Sequence, residues 1–181
     1  MRVAVCDYGA GNLRSVLLAL GRLGVDARAT TDPDEVESAQ LAVLPGVGSA
    51  GSAMARLKET GLDTALRRRQ GPTLGICLGL HLALARSDED GGVEGLGLVP
   101  GRAVKIEYGR VPRMGWATLE PDDGDAYWFA HSYAAKTPAA TVTSEGVVAE
   151  VAWGSFTGVQ FHPEKSGAAG ARWLERCLSR V

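Results

Sequence analysis

The stretch Thr73-Leu74-Gly75-Ile76-Cys77-Leu78-Gly79 decides how the rest of the chain is read. A short apolar run, read as a buried strand over Thr73–Cys77, meets a G-x-C-x-G turn. It passes at once into Leu78–Arg86, apolar on nearly every face and read as a helix buried in the middle of the fold. This is the nucleophile-elbow pattern with cysteine in the place of serine. Glycines two before and two after Cys77 let the backbone turn where a Cβ would strike the neighbouring strand or helix. The turn lifts the sulfur out of the sheet towards a helix N-terminus, whose dipole favours a thiolate, and leaves the N–H of Leu78 facing any oxyanion. The plainer alternative is that Cys77 is a small buried hydrophobe, the usual state of a free cysteine.

Upstream, strand and helix patterns alternate. Val3–Cys6 and Leu41–Leu44 are continuous apolar runs, as in strands covered on both faces, and Val25–Thr30 reads as a further strand. Leu13, Val16, Leu17 and Leu20 recur at helical spacing, and Asp32-Pro33-Asp34-Glu35 carries a helix start with Asp as N-cap and Pro at N1. Helices are expected from Ser52 to Glu59 and from Leu62 to Arg69, whose Arg67-Arg68-Arg69 end reads as solvated cations complementing the dipole. Downstream, Ala103–Glu107, Ala126–Ala130, Val147–Trp153 and Phe156–Phe161 are short strands between Gly, Pro and Asp, and a helix closes the chain. Ser87–Gly92 is the segment expected to be mobile. The fold class that follows is α/β: an open, mostly parallel sheet with helices on both faces, plus a smaller antiparallel extension in the C-terminal half.

Composition sets the outer bounds. The 181 residues are most simply one domain spanning 1–181, with 45% hydrophobic and 22% charged residues, ordinary for a globular chain. A formal net charge of −2 gives no pull towards nucleic acid or acidic membranes. Cys6, Cys77 and Cys177 are odd in number and widely spaced, so neither a disulfide framework nor a zinc knuckle is expected, and Cys6 and Cys177 are assigned to packing. No run approaches the ~20 apolar residues of a membrane span, and the cytoplasm is the default compartment. Cys77 and His81 share a helical face, but nothing nearby completes a metal site, so neither metal nor cofactor is called for.

A thiolate nucleophile needs a base, and the base an orienter. In Gly158-Val159-Gln160-Phe161-His162-Pro163-Glu164, Pro163 pushes His162 to extended backbone, where Glu164 projects to the same side and can hold one ring nitrogen. The other nitrogen is left to face the sulfur. An isolated H-P-E would more simply be a surface histidine beside a solvated carboxylate; together with the elbow it supplies the triad roles. Gly46-Val47-Gly48-Ser49-Ala50-Gly51 matches G-x-G-x-x-G but lacks the acidic residue of a dinucleotide fold, and reads as a backbone loop at a strand's carboxyl end. His131, within the aromatic strand Tyr127–Tyr133, reads as structural.

Taken together these motifs resemble the class I, triad-type glutamine amidotransferases, and among them the glutaminase subunits of imidazole glycerol phosphate synthase in histidine biosynthesis. The resemblance rests on Asp7-Tyr8-Gly9-Ala10-Gly11-Asn12-Leu13-Arg14-Ser15-Val16, Pro45–Gly48, the elbow, Pro112-Arg113-Met114-Gly115-Trp116, His131-Ser132-Tyr133 and Gly158–Ser166. It implies Cys77 as nucleophile, His162 as base, Glu164 as orienter, a glutamyl thioester on Cys77, and oxyanion donors at Leu78 and, after a peptide rearrangement, Val47. It places Gly46, Gly48, His81, Ser132 and Tyr133 around glutamine and turns Met114 and Trp116 towards a partner. That partner is a (β/α)8-barrel synthase subunit in a heterodimer, which uses the ammonia to make imidazole glycerol phosphate and aminoimidazole carboxamide ribotide. The chain departs from the family pattern at His81, where a glutamine is usual, at Arg113 in place of His, and at Ala117 in place of Asn. The first implies altered glutamine binding, the others an altered docking face. Two alternatives stay open: a catalytically weak subunit that only binds the barrel, and a stand-alone cysteine hydrolase of the same fold.

Overall fold

The computed structural model describes residues 1–9 and 11–181; Ala10, within the N-terminal motif, lies outside them. The first half alternates β1 (Arg2–Cys6), α1 (Leu13–Arg22), β2 (Asp26–Thr30), α2 (Pro33–Ser38), β3 (Leu41–Leu44), α3 (Ala50–Thr60), α4 (Leu62–Arg68), β4 (Thr73–Ile76) and α5 (Leu78–Ala83). The continuous apolar runs are strands buried on both faces, and alternate residues part to opposite sides. Val3, Val5, Leu41 and Val43 meet α1 through Val16 and Leu20, together with Trp173 and Leu174 of α6 (Gly167–Leu178). Ala4, Cys6, Ala42 and Leu44 meet α2 to α5 through Val36, Met54, Leu57, Leu66 and Leu82. The helix start at Asp32 forms as its sequence dictates, its carboxylate accepting the Asp34 N–H at 2.9 Å with Pro33 at N1.

After α5 come β5 (Leu84–Ser87), β6 (Val93–Glu94), β7 (Val99–Lys105), β8 (Arg113–Thr118), β9 (Ala126–His131), β10 (Tyr133–Lys136), β11 (Ala140–Ser144), β12 (Val147–Trp153) and β13 (Phe156–Val159). The helix expected over Leu78–Arg86 therefore stops at Ala83, and its last residues turn into a strand. The main sheet has the order β11-β12-β13-β4-β3-β1-β2, parallel from β13 to β2, with β12 and β11 antiparallel at one edge. A four-stranded sheet, β10-β7-β5-β6, packs beside it through Leu80, Leu84, Val99, Val151 and Phe156, and β8 pairs with β9 as a two-stranded ribbon. The antiparallel extension is thus divided among three sheets. No helix among the described residues is long and apolar enough to cross a membrane.

One register places the site. β13, β4 and β3 are adjacent and parallel, with Val159 beside Ile76 and Leu44 beside Gly75. Their carboxyl ends therefore deliver Gln160–Glu164, Cys77 and Pro45–Gly48 side by side, at the edge where open α/β sheets bind ligands.

Arg69, the residue after α4, corrects the reading of a solvated helix end, while Arg67 and Arg68 are exposed in the last turn of α4 as that reading has them. Arg69 is buried, and its guanidinium donates to the carbonyl oxygens of Val36, Glu37, Ala39, Gly71 and Pro72 and to Thr73 Oγ1. It thereby ties the end of α2 to the approach of β4, and Arg67 donates to the carbonyls of Gly95 and Leu96. A planar fork with five N–H groups, its Nε–H shared between Gly71 and Thr73, can reach these six acceptors, where a lysine ammonium cannot. Arg69→Leu is expected to lower unfolding free energy by roughly 3 kcal/mol or more in urea titration, because buried carbonyls lose their donors. Arg69→Lys should recover less than half of that loss.

Candidate active site

The elbow is present and strained. Cys77 has φ 53° and ψ −108°, a region rarely occupied by a residue with a Cβ, and its N–H is fixed to the Val159 carbonyl at 2.7 Å. The glycines are required by contact. A Cβ on Gly79 would lie 1.8 Å from the Leu44 carbonyl oxygen, and one on Gly75 would lie 2.6 Å from Phe156 Cζ. On the neighbouring loop a Cβ on Gly46 would lie 2.8 Å from Leu78 Cβ, so Pro45–Gly48 is laid directly against the start of α5. Tyr8, from the N-terminal motif, donates its hydroxyl to the Pro45 carbonyl at 2.6 Å and holds that loop in place.

His162 follows β13, with its N–H on the Trp128 carbonyl at 2.9 Å and its own carbonyl accepting Ser166 Oγ at 2.7 Å. Its Nδ1 lies 2.9 Å from Glu164 Oε1, and both side chains are almost wholly buried. The pairing is the one expected, but its backbone is not: Pro163–Lys165 is a 3-10 turn rather than a continued strand. Burial alone would pull His162 down. Interaction with the Cys77 sulfur and with Glu164 outweighs it and carries the imidazole up to about 9. The two other thiols do not line the cleft that holds Cys77, and burial pushes both Cys6 and Cys177 up to about 12.

A cleft of about 350 Å³ opens over the sulfur. Val47, Gly48, Leu78, His81, Ser132, Tyr133 and Met114 line it together with Cys77 and His162. Gly46 sits beneath the elbow and Glu164 behind His162, neither reaching the cleft wall. Trp116 lies outside, exposed on β8 and edge-to-face with Trp128. His131 also lines the cleft; its Nδ1 donates to the Tyr133 carbonyl at 2.8 Å, and burial holds it neutral by drawing it down to about 4. Arg113 turns inward, stacking on Phe129 at 4.0 Å and bonding Ser144 and Glu145.

Two polar residues went unassigned in the sequence. The segment expected to be mobile is tied down: Glu89 Oε2 accepts the Ala50 N–H and Asp90 Oδ2 the Gly51 N–H, each at 3.0 Å. They cap α3 in place of Ser49, whose side chain makes no cap bond. Glu89 also lines the cleft, and burial raises its carboxyl, with the Ala50 bond opposing. The only local sign was an acidic run; its partner lies 39 residues away. Gln160 is the other: fully buried, it places its amide between His81 and Cys77.

The sequence pattern described as "Glutamine amidotransferase class-I" matches residues 4–181. The chain is 44% identical over 186 residues to the "Imidazole glycerol phosphate synthase subunit HisH" of Methanothermobacter thermautotrophicus, covering 93% of each. It is 45% identical over 193 residues to the same-named protein of Xanthomonas axonopodis pv. citri, covering 97% of this chain and 96% of that one. Among solved structures, one described as a glutamine amidotransferase aligns with TM-score 0.82 at 19% identity over 99% of each chain. PurLQS from Thermotoga maritima aligns with TM-score 0.71 at 17% identity, over 99% of this chain and 97% of that one. At such identities these two speak for the fold alone. Sequence pattern and relatives agree: the chain belongs to the class-I glutamine amidotransferases, in the family of imidazole glycerol phosphate synthase HisH subunits.

Proposed function

We propose that this chain hydrolyses glutamine to glutamate and ammonia and hands the ammonia to a (β/α)8-barrel synthase subunit in a heterodimer. The observation that carries the reading is the Cys77 sulfur beside a His162 ring whose other nitrogen is held by buried Glu164, under a cleft sized for an amino acid. Cys77 attacks the carboxamide carbon as thiolate, its proton having passed to His162. The oxyanion meets the N–H of Leu78, which as the first residue of α5 has no partner within the helix, and the N–H of Val47 after its peptide turns. The imidazolium then gives its proton to the departing nitrogen, ammonia leaves, and a glutamyl thioester remains. Water, deprotonated by His162, attacks the thioester; the C–S bond breaks and its electron pair returns to sulfur. Glu89, the carboxylate in the cleft wall, faces the α-ammonium of the substrate, with Gly48, His81, Ser132 and Tyr133 around it, and Gly46 supports the loop from behind.

The complete triad weighs against the subunit that only binds. The exposed apolar side chains Met114 and Trp116, the former at the mouth of the cleft, weigh against a stand-alone hydrolase and fit docking to the barrel. The barrel then makes imidazole glycerol phosphate and aminoimidazole carboxamide ribotide from the delivered ammonia and a phosphoribulosyl-formimino derivative of that ribotide. A cytoplasmic setting belongs to the same proposal and is supported by three unpaired cysteines.

Cys77→Ala, mixed with its synthase, should lose glutamine-dependent turnover by about 10³-fold or more while turnover with ammonium salt stays at the parent level. Loss of both activities together would defeat the division of labour. The three histidines give a second check by NMR titration. His162 should titrate near 9 and His131 near 4, and the His162 midpoint should fall in Cys77→Ala and in Glu164→Gln. Because the folded value of His162 exceeds its ordinary 6.5, the stability this pairing contributes is complete below about pH 6.5 and is lost as pH rises through about 9.

A further inference from the structure

Beside the nucleophile the triad leaves buried Gln160 without a task and gives buried His81, which borders the substrate, no part in the chemistry itself. Gln160 stands two residues before His162, and its backbone is fixed by the bond from its N–H to the Ala149 carbonyl at 2.9 Å. Its side-chain nitrogen lies 3.7 Å from the Cys77 sulfur and its side-chain oxygen 2.8 Å from His81 Nε2. His81 sits one turn along α5 from Cys77, and its backbone N–H reaches back to the Cys77 carbonyl. A carboxamide oxygen only accepts, so His81 donates through Nε2, and the Gln160 amide is thereby held with its N–H towards sulfur. On another side the Ala130 carbonyl oxygen lies 3.9 Å from the same sulfur, where it accepts from a thiol and repels a thiolate. The sulfur is thus set between one group that favours S–H and one that favours S⁻.

We propose that His81 and Gln160 form a positioning dyad: His81 fixes the orientation of the Gln160 amide, and that amide donates to the Cys77 sulfur whenever it carries negative charge. The proposal builds on the glutaminase reading and adds what His162 alone does not supply. His162 surrenders its proton to the leaving ammonia, so its charge at the sulfur comes and goes. The dyad is neutral, since burial holds the His81 ring unprotonated, and its dipole keeps one direction throughout. It therefore faces the electron pair that returns to sulfur when the thioester is cleaved, alongside the imidazolium that His162 has regained from water.

The test is the pH profile of Cys77 alkylation by iodoacetamide in the full chain, which requires no glutamine. Gln160→Met and His81→Leu should move the midpoint upward, giving about tenfold slower alkylation on the acidic limb and the parent rate at the alkaline plateau. His81→Gln should keep the midpoint within about twofold in rate of the parent, because it restores the donor. A lowered rate at every pH with an unmoved midpoint would show a packing role only and overturn the proposal, as would an unmoved midpoint in folded His81→Leu. Should neither variant fold, ¹⁵N-histidine spectra of the parent decide. His81 as the neutral Nε2–H tautomer from about pH 5 to 8 supports the dyad, and the Nδ1–H tautomer overturns it. Shifted midpoints in the variants, together with a parent that never turns over glutamine even when mixed with its synthase, would refute the glutaminase reading and leave the dyad standing.

Discussion

The structure depends on the approach of Gly79 to the Leu44 carbonyl oxygen, so close that no side chain fits between them. That contact sets the first turn of α5 onto the end of β3, which brings the Pro45–Gly48 loop against Leu78 and forces the left-handed turn at Cys77. With β13 paired on the other side of β4, Cys77, His162 and the Pro45–Gly48 loop emerge at one level without any long loop to carry them. The rigidity is that of the sheet. Strain at Cys77, on the order of 1–3 kcal/mol for such a backbone, is sustained because strands on both sides over-determine it.

Electrostatics then separates three histidines that are all buried. His131 donates to a carbonyl, which favours a charged ring, but burial and the neighbouring Arg113, with Nη1 3.5 Å from its other nitrogen, outweigh it. His81 has only the neutral Gln160 amide, whose bond favours the charged ring too weakly to offset burial. His162 alone has a carboxylate on one side and sulfur on the other, and its proton is held against the same burial. Burial is common to the three; the partners decide which one can move a proton at neutral pH.

The sequence made legible what depends on neighbours a few residues apart. The elbow, the cap at Asp32 and the doubly buried strands each follow from local chemistry, and all formed. Where apolar residues occupy every position, periodicity cannot tell a buried helix from a buried strand, and so Leu84–Arg86 was read as helix. β8 hid for the opposite reason: its large apolar side chains, Met114 and Trp116, point outward while Arg113 and Gly115 face in. Its alternation runs against its hydrophobicity. Arg69 and Glu89 found their places only through partners some 30 to 39 residues away, which no short window contains.

That inverted strand joins the fold to its use. Met114 is both an exposed apolar side chain and part of the cleft wall, and so is Val47 on the oxyanion loop. A surface seated on β8 would desolvate these two side chains and roof the cleft in the same step. Excluding water there strengthens every charge interaction at the sulfur, since the imidazole, the Gln160 amide and the helix start all act across a lower dielectric. On this geometry the exposed apolar face and the cleft wall share residues, so covering the one would enclose the other.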